Sequence, residues 1–412
     1  MGVCDVHGLF YFLCAFRASK AGDPTTGLFC WHSHKKFAER NNTKTNDYLT
    51  NDYLTNDYPT NDYLTILRRN TMSAQSYQNY TYRPARMEDA QAATDLFNIC
   101  SMEEIGAAQF EVNDNRTWWQ SPGVNLETDT HAVVAPDGAL IGYADIWDAE
   151  PHVRLHGWAR VHPGYRHNGI GVHLAQWLEA RARESIPKAP EGARVTLLQG
   201  VIAHDEASQT LLREQGYQLV RYFFRMIIEL DTPPPEPVLP EGITIRPFIR
   251  GQEERALVEA DRETFKDHWG YVEHPFEEEY ARWMHRIDTD PDFDPAVWFV
   301  AVEDDQIVGM SLCSPKMTED PDMAWVNILG VRRPWRRRGV ALALLHHTFG
   351  EFYRRGKHRV GLGVDANSLT GALDLYKKAG MHPVHQYANY EKELRPGVEL
   401  STQTLNPACA GS

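Results

Sequence analysis

The chain has 412 residues, 42% hydrophobic and 24% charged, with 42 Lys+Arg against 56 Asp+Glu for a formal charge of -14. That composition excludes a wholly disordered chain and supports more than one hydrophobic core. It also argues against general attraction to nucleic acid or to an anionic membrane surface. Six cysteines without a CxxC pair make neither a disulfide framework nor a zinc-finger pattern, and fit a reducing, cytoplasmic setting. No stretch reaches the roughly 18 apolar residues of a membrane-spanning helix, so none is expected.

Residues 1–77 read as a low-complexity extension. Asn46 to Thr65 is a run of tandem pentads, NDYLT, NDYLT, NDYPT and NDYLT. A period of five matches neither the strand nor the helix repeat, and Asn-Asp favours turns. Met72 offers an alternative start, so residues 1–71 are expected to be an upstream reading-frame extension, the competing reading being a dispensable or targeting tail.

From residue 78 the chain repeats itself. Tyr80 to Pro84 (YTYRP) and Ile243 to Pro247 (ITIRP) each read as a short strand before a helix; Asp89 to Asn98 starts the first helix, and Gln252 to Phe265 covers much of the second. A hairpin follows in each half. His131 to Ala135 and Ala139 to Trp147 flank the turn Pro136-Asp137-Gly138; Trp298 to Val302 and Ile307 to Leu312 flank Glu303 to Gln306. Matched glycines (Gly142 with Gly309, Gly169 with Gly339, Gly216 with Gly380) keep their order, which makes the two segments copies of one domain. The expected fold is mixed α/β (α+β): two tandem domains at 78–230 and 243–395, each a mostly antiparallel twisted sheet flanked by helices. The Pro-rich stretch 231–242 is the linker between them, and 396–412 is a surface tail.

The chemistry is marked by VHPGYRHNGIG (Val161 to Gly171) and VRRPWRRRGVA (Val331 to Ala341). In each, an apolar strand ends in a loop holding a basic residue, Arg166 or Arg336. A glycine follows three residues on, Gly169 or Gly339, and a small residue two later, Gly171 or Ala341; then a helix begins. Such a loop aims several backbone N–H groups at one point, where the helix dipole favours negative charge, as a pyrophosphate requires. The spacing is neither a nucleotide-triphosphatase P-loop nor a dinucleotide fingerprint.

These residues resemble the GCN5-related N-acetyltransferases, whose hallmark is Q/R-x-x-G-x-G/A after a V-x-P strand end. The resemblance covers about residues 80–394, and the doubled arrangement is similar to the tandem subgroup that includes mycothiol synthase. It implies acetyl-CoA as co-substrate, no metal, and a cofactor cradle at Val331, Arg336, Arg337, Arg338, Gly339, Val340 and Ala341. Arg166, Gly169 and Gly171 are its counterpart in the first copy. It implies direct acetyl transfer to a primary amine of a small molecule, with Tyr376 as the acid near Asn367. In the first copy Leu212 stands where Tyr376 stands, and leucine cannot donate a proton, so that copy is expected to be catalytically degenerate. The general base stays open among Glu263, Asp267 and His268, in the stretch DRETFKDHWGYVEH. The strand Trp325 to Val331 lacks the carboxylate often seen there.

Alternatives remain: a non-catalytic acyl-CoA-binding or regulatory protein, or acetylation of a protein N-terminus. The five arginines of RRPWRRR also invite a nucleic-acid reading, but the acidic chain and the position at a coenzyme cradle favour phosphate of the coenzyme. No nucleic acid and no membrane partner are expected.

Overall fold

The computed structural model describes residues 80–405; the pentad-bearing extension and residues 406–412 lie outside them. In the first half, β1 (Thr81–Arg83) leads to α1 (Ala90–Ile105), α2 (Val112–Trp119) and the short α3 (Leu126–Asp129). Then come β2 (Thr130–Val134), β3 (Leu140–Trp147), β4 (Arg154–Val161), α4 (Ile170–Arg183), β5 (Val195–Ile202), α5 (Glu206–Glu214) and β6 (Gln218–Glu229). The second half repeats the order with β7 (Thr244–Pro247), α6 (Glu254–Phe265), α7 (Phe276–Thr289), β8 (Trp298–Glu303) and β9 (Gln306–Ser314). It finishes with β10 (Met323–Val331), α8 (Val340–Arg354), β11 (Arg359–Asp365), α9 (Ala372–Lys378) and β12 (His382–Arg395).

Local sequence accounts for these elements. In α8, Leu344, Leu345, Phe349 and Phe352 recur along one helical face and are wholly buried. Each such side chain contributes about 1.5–3 kcal/mol relative to exposure. α1 stops where Gly106 turns left-handed at φ 77°, accepting a conformation that other residues resist.

The two halves share one twelve-stranded sheet in the order β1-β2-β3-β4-β5-β12-β6-β11-β10-β9-β8-β7. Two neighbouring pairs, β4 with β5 and β10 with β11, are parallel; the other pairs are antiparallel. The chain does not divide at the linker as the sheet does. β6, the last strand of the first half, pairs with β11 of the second, while β12 pairs with β5 of the first. The two exchanged strands also pair with each other, Tyr387 opposite Phe223, so the centre of the sheet is built reciprocally.

Helices cover both faces. A Cβ on Gly330 of β10 would meet Thr264 of α6, whereas one on Gly309 of β9 would meet Leu344 of α8. One face therefore carries α6, and the opposite face carries α8. The first half follows the same rule: Cys100 of α1 reaches the Val161 carbonyl on one side, and Leu178 of α4 packs on Gly157 from the other.

Candidate active site

Two features of the second half make a site: an open helix N-terminus and a split in the sheet. β10 ends at Val331, a single turn spans Arg333–Trp335, and α8 begins at Val340. The loop needs left-handed backbone at Arg337 (φ 63°) and at Gly339 (φ 94°). Gly339 caps α8 without a side chain, and the first helical bond is Ala343 N–H to the Gly339 carbonyl at 3.0 Å. The N–H groups of Val340, Ala341 and Leu342 thus have no partner inside the helix. No atom lies within 4 Å of a Cβ built on Gly339, so the space above these donors is open. Three uncapped N–H groups at the positive end of a fifteen-residue helix fit a coenzyme pyrophosphate.

The split lies beside this cradle. β10 and β11 pair in parallel over only Met323 to Val326 opposite Arg359 to Leu362. Against β9, the register of β10 slips between Val326 and Ile328, so Asn327 is an extra residue, and its Nδ2 donates to Ser314 Oγ at 2.7 Å. Beyond Val326 β10 and β11 part, leaving a V where an extended arm fits, and the bulge adds a local bend to β10. The first half parts as well, β4 pairing with β5 only over Arg154 to His156 opposite Thr196 to Leu198, but without a bulge. Its cradle has the same form, with His167 at φ 64° and Gly169 at φ 79° capping α4 without a side chain. But β4 keeps unbroken register with β3, and Leu211 of α5 would lie 3.1 Å from a Cβ on Gly171.

The cradle arginines face inward. Arg336 bonds the Val331 carbonyl at 2.9 Å, the Thr264 carbonyl at 3.1 Å and the Asp267 carboxylate. Arg166 pairs with Glu103 of α1 at 2.7 Å. In each half the arginine side chain ties the loop to the half's first helix, and the backbone is what remains for an anion. Of the five arginines around Trp335, Arg332, Arg333, Arg336 and Arg338 are paired to Glu263, Asp267, Asp267 and Glu303. That pairing leaves little net positive charge for a nucleic-acid backbone.

The three carboxylate and imidazole candidates sit under this loop. Glu263 accepts from Arg332 at 2.6 Å. Burial pushes the Asp267 carboxyl up, but Arg333 and Arg336 outweigh it and hold the group below the usual range. His268 is buried against Phe265, ring centroids 4.4 Å apart, with Nε2 unbonded, and burial lowers its pKa. All three therefore stand with the arginine loop, and Glu263 and Asp267 have their charge already matched.

Tyr376 on α9 is wholly buried, and Asn367 is exposed on the turn between β11 and α9, its N–H bonded to Asp365 at 2.9 Å. Leu212 of α5 is buried at 3% exposure. Side chains that the sequence reading did not single out gather where β6 meets β11. Burial raises the Asp365 carboxyl at the end of β11, with Arg221 of β6 3.7 Å away. Arg225 of β6 is paired to Glu319 at 2.5 Å. Trp269 lies between two guanidiniums, Arg154 at 4.3 Å and Arg221 at 4.7 Å, joining the second half's α6–α7 loop to strands of the first. Among the described residues, no group of three or more His, Cys, Asp or Glu is placed to hold a metal ion, and no helix is long and apolar enough to cross a membrane.

The model of the acetyltransferase (GNAT) family matches residues 91–217 and again residues 256–381. The mycothiol acetyltransferase of Saccharopolyspora erythraea is 30% identical over 275 residues, covering 65% of this chain and 85% of that protein. That of Thermomonospora curvata is 31% identical over 251 residues, 59% of this chain and 76% of the relative. The crystal structure of a GCN5-related N-acetyltransferase from Sphaerobacter thermophilus is 39% identical, with a TM-score of 0.64 over 79% of this chain and 98% of that one. A tandem GNAT protein from the clavulanic acid biosynthesis pathway, 18% identical, shares the fold with a TM-score of 0.58 over 77% of this chain and 99% of its own. With the family matched in both halves, and each half presenting an uncapped glycine cradle, this chain belongs to the GNAT acetyltransferases in tandem form and is an acetyl-CoA-dependent acyltransferase.

Proposed function

We propose that the second half catalyses transfer of an acetyl group from acetyl-CoA to a primary amine of a small molecule, and that the first half is a degenerate copy completing the sheet. The observation that carries this reading is the bulge in β10 at Asn327, beside the α8 cradle, which has no counterpart in β4. Bound acetyl-CoA supplies an activated acetyl group. The chain's own residues supply the rest. The N–H groups of Val340, Ala341 and Leu342 hold the diphosphate, and the parted strands align the arm. The neutral amine attacks the thioester carbonyl, the C–N bond forming before the C–S bond breaks; the Tyr376 hydroxyl gives its proton to the departing thiolate, and the proton lost by the nitrogen replaces it. Leu212 offers no such proton in the first half. A small-molecule acceptor fits the similarity to proteins named mycothiol acetyltransferases.

Calorimetric titration of residues 72–412 with acetyl-CoA tests the reading together with a free-thiol assay. The expected result is one site per chain, with Tyr376→Phe lowering kcat while acetyl-CoA affinity holds. Binding that survives Gly339→Ala, or unchanged kcat in Tyr376→Phe, would overturn it.

A further inference from the structure

The exchanged strand β6 brings an arginine of the first half to the β10–β11 opening of the second. Registers place the relevant side chains on the face that carries α6. Trp325 of β10 stands opposite Gly361, Gly361 opposite Ile227, and Gly363 opposite Arg225 of β6. Gly363 comes one residue after Leu362, the last position where β11 pairs with β10, so Arg225 is level with the opening of the V. Its guanidinium lies over the Trp325 ring at 4.9 Å, and the ring itself lies across Gly361.

Glu319 pairs with this guanidinium at 2.5 Å. It belongs to the loop joining β9 to β10, which is fixed in place: Met317 and Asp320 exchange backbone bonds, Asp320 pairs with Arg359 at 2.8 Å, and Lys316 pairs with Asp292 at 3.0 Å. The side chains of Arg225 and Glu319 are only 3% and 7% exposed. Despite the ion contact, neither oxygen of Glu319 receives a hydrogen bond, and the buried hydroxyl of neighbouring Thr318 has no partner either. Buried carboxylates ordinarily accept several hydrogen bonds, and one left short of donors is costly. A protonated amine is a compact group with three donors.

Resting on the reading of the second half as the catalytic one, we propose that Glu319 binds the ammonium group of the acceptor, with Arg225 as its positioning residue. The acceptor site of the second half is then completed by a strand from the first. Arg225, lying over Trp325, holds the carboxylate near the mouth of the V, and His385 of β12 stands opposite Arg225 on the neighbouring strand. The acceptor class this selects is a cationic primary amine, recognised by charge before it reacts.

The test measures free coenzyme A released by residues 72–412 with D-glucosamine, L-lysine and spermidine as acceptors, and acetyl-CoA binding in parallel. Glu319→Gln is expected to raise KM for the productive amine by about ten- to a hundredfold, the range of a lost charged hydrogen bond, with acetyl-CoA affinity within about twofold. Glu319→Asp, which keeps the charge, should recover part of the loss. Because Glu319→Gln strands the Arg225 charge, the double variant Arg225→Met/Glu319→Gln removes both charges together, a change buried pairs commonly tolerate. It should stay folded, bind acetyl-CoA and show the same raised KM. Unchanged KM in a folded single or double variant would overturn the proposal and leave ordered water as the partner of Glu319. Loss of acetyl-CoA binding along with activity would also overturn it, by assigning the pair to the scaffold. Wild-type protein that binds acetyl-CoA but acetylates none of the three amines would overturn the catalytic reading and this inference together.

Discussion

Gly361 offers a sharp test of the packing beneath the proposed acceptor site. A Cβ there would lie 2.5 Å from Cζ3 and 2.7 Å from Cε3 of Trp325, and 3.3 Å from Met323 Sδ. The ring is fully enclosed at 2% exposure, so it cannot swing away as a flexible side-chain end could. Gly361 has no left-handed φ, so on backbone grounds alone alanine in a strand would stabilise by about 0.5–1 kcal/mol. Overpacking of a dense core costs about 1–3 kcal/mol and acts in the opposite direction. The net expectation for Gly361→Ala is a loss of about 1–2 kcal/mol, a fall in Tm of a few degrees. Urea unfolding of Gly361→Ala, Trp325→Leu and the pair gives the coupling directly. Trp325→Leu alone destabilises by leaving a cavity, but it makes room for the new methyl, so the double variant should be more stable than the sum of the singles by about 1 kcal/mol. A Gly361→Ala protein more stable than wild type, or strictly additive effects, would refute the argument.

Three other expectations follow from the site and the sheet. Alanine at Gly339, where φ is 94°, should strain the loop by about 1 kcal/mol and abolish acetyl-CoA binding, whereas Gly169→Ala should leave the calorimetric stoichiometry unchanged. The folded-state pKa of Asp267 is depressed, so its contribution to stability is present above the unfolded carboxylate value and lost as pH falls through the lower native one. The stability gap between wild type and Asp267→Asn should therefore be full near neutrality and close below about pH 4; a gap independent of pH would sink this account. Residues 243–395 expressed alone lack β6, which exposes the edge of β11, and should be insoluble or inactive; a soluble, fully active fragment would contradict the shared sheet.

Much of the architecture was legible in the sequence because it is written in local patterns. The hairpin read at His131 to Trp147 corresponds to β2 and β3, and the glycine turns place α4 and α8 where the periodicity of their leucines begins. The helix that Asp89 to Asn98 opens runs on to Ile105 because buried Cys100 and Ser101 continue its inner face. The bulge at Asn327 was not legible: an extra residue in an apolar strand leaves no period to detect. Nor was the exchange of β6 and β12. Both strands have ordinary strand composition, and which edge each one joins is decided by contacts far away in the chain. The same distance hid Arg225 and Glu319, which are 94 positions apart in the numbering and meet only through that exchange. Trp269 joins the two halves between a pair of arginines from distant strands, a contact no local pattern announces.

The exchanged strands also dictate an order of assembly during synthesis. When β6 leaves the ribosome, the strand it will flank in the second half does not yet exist. The open side of β5 must wait for β12, the last strand of the chain. The bond from Tyr390 to Gln209 joins residues 181 positions apart, so the first half closes only after almost the whole protein has been made. Until then two unpaired strand edges stand exposed, a state prone to wrong partners and slow to resolve. A nascent chain halted after the linker should thus remain open on β5 and β6, and any factor that shields growing chains would find its target there.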